Sequence, residues 1–315
     1  MSNFGASTTG KEVVSAYPEQ VAGRTFAITG ASVGGIGAYV AYCLAAAHPA
    51  TIILLGRNEA KVSPVVETIQ QISSSTKAHF VKVDLASTAS VRVAAAEVQK
   101  LVTKIDVLIN NAGIMGPKLS LTPDGVESQF GANHIGHFLL TNLLMPQIEA
   151  TGRGGRIVNV SSLLYQFSAV RFDDHNFSNG ETFNTWEAYG QSKTANILFS
   201  VALAKKLAGK GIKSFSLHPG NIQDTNLSAT IDPSEWPIVG AMFGEKNVEL
   251  PKAKTIEQGS ATTLVAALDP VLDNLSGAFL DDCKPSKALE YASSFENAEK
   301  LWALSERIVG EKFTY

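Results

Sequence analysis

Tyr189 and Lys193 stand four residues apart in "AYGQSKTANILF". On a helix that spacing puts both side chains on one face, a turn apart. A free phenol has a pKa of about 10 and is a poor base at neutral pH. One positive charge at ~4 Å, with an effective dielectric of about 20, contributes ~4 kcal/mol, or roughly 3 pKa units. An ammonium at Lys193 would therefore pull Tyr189 toward neutrality, where a phenol works as a general acid or base. Taken alone, the same spacing also describes an ordinary surface pair.

A second constellation is "FAITGASVGGIG", Phe26 to Gly37, followed by the helical run "IGAYVAYCLAAA". In a strand–loop–helix phosphate site one glycine makes the tight turn and another admits the pyrophosphate. A third lets the helix pack on the strand, and the helix N-terminus faces the anion. A chain that binds NAD places an acid about 20 residues beyond the glycines, where it bonds the ribose 2′-hydroxyl. Here Arg57, in "LLGRN", occupies that position. A guanidinium pairs bidentately with a 2′-phosphate, so NADP(H) is expected over NAD(H). The plainer reading of Arg57 is stacking on the adenine, which tolerates either cofactor.

These groups need a scaffold. Strand-like runs lie at 25–29, 51–55, 79–83, 106–110, 156–160, 213–218 and 277–280, with helical patterns between them, among them Glu59 to Ser73, Thr88 to Leu101 and Trp186 to Ala208. The alternation implies a single-domain α/β chain with a Rossmann-type, doubly wound parallel sheet of about seven strands. Residues 1–22 read as a polar leader with one short helix at "KEVVSAY", and 23–315 as the domain. Two stretches break the rhythm, about 163–185 with five aromatics and about 226–257 with Trp236, Pro237 and Phe243. Both follow strand C-termini, where open α/β sheets bind ligands, so they are expected to be substrate loops.

Composition narrows the class. Of 315 residues, 45% are hydrophobic and 17% charged, which suits a large core. A net charge of −3 argues against a nucleic-acid partner. The "GRGGR" run, Gly152 to Arg156, reads as a solvated turn. The cysteines, Cys43 and Cys283, form neither a disulfide framework nor a metal spacing, so no metal and a reducing, cytoplasmic location are expected. The N-terminus lacks the apolar region of a signal peptide. No Asp, Glu, Lys or Arg lies between Arg24 and Arg57, but glycines and His48-Pro49 break that run, so no membrane span is expected.

Together "TGASVGGIG", Asp84 in "VDL", "NNAG" (110–113), "NHIGHF" (133–138), "NVSS" (159–162), "YGQSK" (189–193) and "HPG" (218–220) occur in the order found in the short-chain dehydrogenase/reductase family. The chain resembles that family over about residues 20–285, and its retinol-dehydrogenase-like branch in particular. The resemblance implies catalytic roles for Asn133, Ser162, Tyr189 and Lys193. Ser162 would bond the substrate oxygen, and Asn133 would support a proton relay behind Lys193. Lys193 would also grip the ribose, and an oxidised nicotinamide would add its charge beside Tyr189. The implied cofactor-binding residues are Gly30, Ser32, Gly35, Ile36, Gly37, Arg57, Asp84, Leu85, Asn111, Ala112, Gly113, Pro219, Gly220, Ile222 and Thr225, with Tyr189 and Lys193. His134, His137 and His218 are expected to be structural. Family dimers pair the helices bearing the Asn133 and Tyr189 positions, so a homodimer is a possible partner state.

The glycine loop departs from the family by one residue. Gly30, Gly35 and Gly37 are assigned the three jobs and Gly34 the insertion, so Gly34→Ala is expected to cost less cofactor affinity than Gly35→Ala or Gly37→Ala. Similarly, the position four beyond Gly220 holds Asp224, and Thr225 is assigned to the nicotinamide. The expected activity is NADP(H)-dependent hydride transfer to or from the carbonyl or alcohol carbon of an apolar small molecule. Two rivals stand beside it. One is a regulatory protein that binds the cofactor on the same fold without turnover, which an intact Asn133–Ser162–Tyr189–Lys193 set disfavours. The other is an epimerase or dehydratase, whose loop would read GxxGxxG.

Overall fold

The computed structural model describes residues 3–152, 154–223, 225–228 and 231–315. Among these residues ten strands follow in chain order: β1 (Thr25–Thr29), β2 (Thr51–Gly56), β3 (Lys77–Lys82), β4 (Val107–Asn110), β5 (Arg156–Val160), β6 (Lys213–Leu217), β7 (Asn221–Ile222), β8 (Ala253–Lys254), β9 (Phe279–Asp281) and β10 (Lys284–Ser286). Eight make one sheet, in the order β3-β2-β1-β4-β5-β6-β9-β10. Every neighbouring pair is parallel except β9 with β10. The seven expected strands are its parallel members, and β10 is an antiparallel addition at the edge. β7 and β8 form a separate two-stranded parallel pair.

The interior strands are buried along their length, as in β1 and β5, because helices cover both faces. On one face the helices Gly10–Ala16, Ile36–Ala45, Glu59–Ile72 and Ile256–Leu268 share a core with Phe26, Ile28, Ile52 and Leu54. Val13, Val14 and Val21 belong to this core, with Phe4 and Tyr17 packed against it, so these residues of the N-terminal segment pack against the sheet's helices. The other face carries Thr88–Leu101, the helical run 128–143, Thr185–Lys206 and Phe295–Val309. Thr88–Leu101 shows the sequence logic simply. Ser87 caps its N-terminus, and Val91, Ala94, Ala95 and Val98 recur at the spacing of one helical face.

Two local expectations change. Residues 226–257 are not irregular throughout: they contain the helix Glu235–Glu245 and β8. Arg156 is not part of a solvated turn. It is buried, donates to the Ala266 and Asp269 carbonyls and pairs with Asp273 at 2.7 Å. The Ala266 carbonyl lies in the last turn of the helix Ile256–Leu268, where Pro270 has no amide to offer, and the guanidinium supplies a donor for it. Arg153 lies outside the described residues. At the C-terminus, Phe295–Val309 packs Trp302 edge-on against Phe138, and Phe313 also meets Phe138. Trp302 touches Phe199 as well, and Tyr315 meets Trp302 and bonds Asn142. The chain's own C-terminal helix thus covers a face of the helices bearing Asn133 and Tyr189.

His134 lies in the same layer, its ring against Phe130 and edge-on to Phe199, with Nε2 bonded to Ser305 Oγ at 2.8 Å. Burial, with His137 adding to it, pushes its pKa down to about 3. The unfolded chain therefore takes up this proton first as pH falls. The stability due to a neutral His134 is full above about 6.5 and is lost progressively toward 3. Between pH 7 and 5 the His134 share of the loss is about 2 kcal/mol. Urea unfolding at those two values should show at least that drop, and His134→Leu should reduce it. A parent equally stable at both would contradict the assignment.

Candidate active site

β1 delivers the chain to Gly30, whose φ is +72°. A side chain there would strike Ala112, and one at Gly37 would strike the Gly30 carbonyl and the Asn111 amide. Helix, loop and the turn after β4 therefore meet backbone to backbone, leaving a shallow cradle. Gly35 is the N-cap of Ile36–Ala45 and no side chain caps that end, so its free amides suit a phosphate. Ser32 and Ile36 flank the turn, with the Ser32 carbonyl accepting from Gly35 N at 3.0 Å. Val33 and Gly34 lean outward. Val33 donates to the Lys61 carbonyl at 2.9 Å, and its own carbonyl accepts from Asn226 Nδ2 at 3.2 Å.

Arg57 follows β2 directly and is exposed. Asp84 follows β3, where its carboxylate accepts from Ala86 N at 3.0 Å and its own amide donates to Ser90 Oγ at 2.9 Å. Leu85 is buried against Gly136. Asn111 Nδ2 donates to the carbonyls of Thr29 at 2.9 Å and Gly30 at 3.3 Å. This ties the turn after β4 to the glycine loop. The order of the sheet reverses between β1 and β4, and the crevice at such a reversal is where doubly wound sheets take dinucleotides.

Tyr189 and Lys193 sit on Thr185–Lys206, a helix buried nearly all round. Ser162 lies beside Tyr189, where its hydroxyl lowers the phenol's pKa, and its Oγ accepts from Leu164 N at 3.2 Å. The neighbouring Ser161 instead donates to the Lys193 carbonyl at 2.7 Å, so the structure separates the two serines. Lys193 Nζ lies 5.6 Å from the centroid of the Tyr189 ring and donates to the Val160 carbonyl at 3.2 Å. Asn133 lies in a π-helical segment, Gly131–Ile135, inside the run 128–143. Its amide accepts from Ile114 N at 2.8 Å and donates to the Ile114 carbonyl at 3.0 Å and Ser192 Oγ at 2.9 Å. Ser192 in turn donates to the Tyr189 carbonyl at 2.8 Å. A Cβ on Gly113 would lie 3.2 Å from Lys193 Nζ and 3.5 Å from Asn133 Oδ1, so this glycine keeps the approach to both open.

Burial pushes the Tyr189 phenol well above its ordinary value, and the Ser162 hydroxyl pulls it only partly back. Burial also pushes Lys193 down to about 8. The protein alone therefore does not bring the phenol near 7. Nζ lies 5.6 Å from the ring centroid, and desolvation outweighs the Ser162 contribution. A neutral phenol beside Ser162 is suited to giving a proton to a carbonyl oxygen.

Residues 24–173 match the family described as short chain dehydrogenase. The chain is 33% identical to retinol dehydrogenase 12 of Mus musculus, over 92% of this chain and 88% of that protein. It is 35% identical to the short-chain dehydrogenase TIC 32 A, chloroplastic, of Brassica napus, over 98% and 95%. A crystal structure of an uncharacterised protein from Mycobacterium paratuberculosis superposes with a TM-score of 0.73 at 32% identity, covering 93% of this chain and 96% of that one. The chain belongs to the short-chain dehydrogenase/reductase family. Its curated relatives place it in the retinol-dehydrogenase-like branch.

The roof of this dehydrogenase's site is apolar. Leu164, Phe167, Trp186, Ile231, Val239 and Met242 cluster with Tyr189, and Met115 and Phe243 pack against them. Val239, Met242 and Phe243 come from the inner face of Glu235–Glu245, which Trp186 anchors by donating to Glu235 at 2.9 Å. That face was legible as i, i+3, i+4 spacing, but Pro237, Gly240 and Gly244 obscured the helix. Of the five aromatics in 163–185, Phe167 alone belongs to this cluster. Tyr165 packs on Phe279, Phe172 joins the main core, and Phe177 and Phe183 pair with each other. Beyond β6, His218 Nδ1 accepts from Gly220 N at 3.0 Å, and its Nε2 pairs with Asp281 at 3.2 Å. This fixes the turn at Pro219 and Gly220. Ile222 packs on Gly259, and Thr225 is half-buried. Asp224 lies outside the described residues.

Gly34 has a φ of +75°, and a methyl there would approach only Asn226 Nδ2, at 3.4 Å. Gly35, by contrast, is the extended N-cap, with a φ of −105°. The left-handed backbone sets an order of stability, a quantity distinct from cofactor affinity. Gly34→Ala should cost ~1–2 kcal/mol of stability from backbone strain. Gly35→Ala should cost less, and Gly37→Ala most, because its methyl meets a carbonyl and a fixed amide. Thermal unfolding of the three variants checks this, and a Gly37→Ala protein as stable as Gly35→Ala would refute it.

Proposed function

We propose that this chain is an NADP(H)-dependent oxidoreductase that interconverts a carbonyl and an alcohol on an apolar small molecule. The observation that carries the reading is the meeting of Ser162, Tyr189 and Lys193 beside Gly113, at the mouth of the glycine-loop crevice. The residues fit a dinucleotide. The backbone approaches at Gly30 and Gly37 leave a cradle, and the Ile36–Ala45 N-terminus has no side-chain cap. Its amides would take the pyrophosphate, Asp84 and Leu85 the adenine end, and Asn111 to Gly113 the ribose and central sheet. Arg57 is exposed beside the crevice and would take a 2′-phosphate. The cofactor, when bound, supplies or accepts a hydride. Tyr189 gives the substrate oxygen its proton or takes it back, Ser162 holds that oxygen, and Lys193 supplies the positive charge. Asn133 holds the turn at Ile114 against the Tyr189 helix.

The apolar roof over Tyr189 favours a hydrophobic substrate, since burial of such a surface contributes about 25 cal/mol per Å². The name retinol dehydrogenase, borne by several relatives, points to the same class. Among the described residues no helix is long and apolar enough to cross a membrane. Cys43 and Cys283 are free and buried, which suits the reducing cytoplasm we propose.

The test is NADPH oxidation with a panel of carbonyl compounds, in parent and variants. Tyr189→Phe should keep cofactor affinity and lose ~10²–10⁴-fold in kcat. Lys193→Ala should lose both. Lys193 carries its charge below about pH 8 and loses it above, so reduction should fall as pH rises through that value. A parent that binds NADPH but reduces nothing would instead favour the regulatory reading. Separately, Arg57→Ala should weaken NADPH by about 10–100-fold, the range for losing a charged hydrogen-bonding partner, and leave NADH unchanged. Unaltered preference would remove Arg57 from the 2′-phosphate site.

A further inference from the structure

Thr29 ends β1, and its hydroxyl accepts two hydrogen bonds, from Asn111 N at 2.9 Å and Ala112 N at 3.0 Å. A hydroxyl has two lone pairs and one proton. With both pairs taken, the proton must go to a third group, and His137 Nε2 lies 2.8 Å away. That nitrogen is therefore an acceptor and carries no proton. The other ring nitrogen, Nδ1, lies 2.9 Å from the Asn133 carbonyl oxygen, which can only accept. Nδ1 therefore carries the proton. The surrounding bonds leave His137 a single tautomer and no charge, and the ring is buried.

We propose that His137 is a positioning residue of the cofactor crevice. Its bare Nε2 takes the Thr29 proton, so both lone pairs of that hydroxyl stay on the amides of Asn111 and Ala112. Asn111 passes the constraint on, through its side-chain bonds to the Thr29 and Gly30 carbonyls, to the glycine loop. Nδ1 fastens the same ring to the π-helical segment at Asn133. One imidazole thus joins the β1 end, the turn after β4 and the Asn133 helix. Without an acceptor at the Nε2 position, the Thr29 hydroxyl must turn toward another group and release one of the two amides. The inference rests on the reading that Asn111 to Gly113 line the cofactor crevice.

Two substitutions separate the ring's two bonds. His137→Asn keeps a donor near the Nδ1 position and has nothing at Nε2. His137→Gln can place a carbonyl acceptor near Nε2. The measurement is the Kd of whichever of NADPH and NADH the parent binds more tightly, followed by tryptophan fluorescence, with thermal unfolding alongside. His137→Asn should raise Kd about tenfold, the effect of one lost buried hydrogen bond. His137→Gln should stay within about twofold of the parent, although both lose the imidazole and its packing. Equal Kd for the Asn variant and the parent would overturn the inference, and so would equal weakening in the Asn and Gln variants. If His137→Asn does not fold, Thr29→Val supplies the same arm. It should weaken binding as much, and adding His137→Gln to it should weaken binding no further, whereas an additive loss overturns the coupling. A parent that binds neither nucleotide removes the cofactor reading and this inference with it. Normal parent binding with an unaffected Asn variant removes this inference alone.

Discussion

A lysine ammonium and a tyrosine phenol share the interior of this protein, and the cost of keeping both there governs what surrounds them. Each is displaced from its ordinary pKa by burial, Lys193 downward and Tyr189 upward. A buried cation needs an acceptor, and the Val160 carbonyl at the end of β5 provides one. A buried phenol needs a partner, and Ser162, two residues further on, provides that. One strand terminus thus serves both groups. The helix that bears them must be buried on nearly every side, which requires a sheet beneath it, a helix on each flank and a roof above.

The roof and the floor have different characters. The floor is tightly tied, with Thr29, Asn111 and Gly30 joined by bonds between side-chain and main-chain atoms that leave little freedom. The roof is a layer of side chains, with Val239 and Met242 reaching down from Glu235–Glu245. Its outer side leaves Trp236 and Ile238 substantially exposed, so this helix is held from one face only. A rigid floor suits a nucleotide of fixed shape, and a side-chain roof suits apolar molecules of varied shape.

Much of this was legible in the residues, for physical reasons. β1 and β5 are continuous apolar runs because both their faces are covered, and their limits were read correctly. Thr88–Leu101 was read to the residue because its cap and its apolar period agree. β10 was missed, since "KPS" is three exposed residues with a proline, and only its partner strand makes it a strand. Arg156 was misread because charge usually marks solvent, whereas here it ends a helix of another part of the chain. Tyr189 and Lys193 were singled out by their spacing, and Ser162 and Asn133 by the resemblance to the family. The backbone angle at Gly34 and the proton position on His137 were beyond the sequence. Both depend on what three-dimensional neighbours leave free.

The helix Phe295–Val309 covers, from within the same chain, a face of the helices behind the site. Trp302 rests on Phe138 and Phe199, on the layer that carries Asn133 and Tyr189. Joining two such surfaces within a chain costs the entropy of closing a loop, whereas capturing a separate molecule also costs its translational freedom. An intramolecular contact has no concentration dependence. The support of the helices behind the site is therefore the same in a dilute solution as in a crowded one, and a copy pairing through this face would first have to displace Trp302.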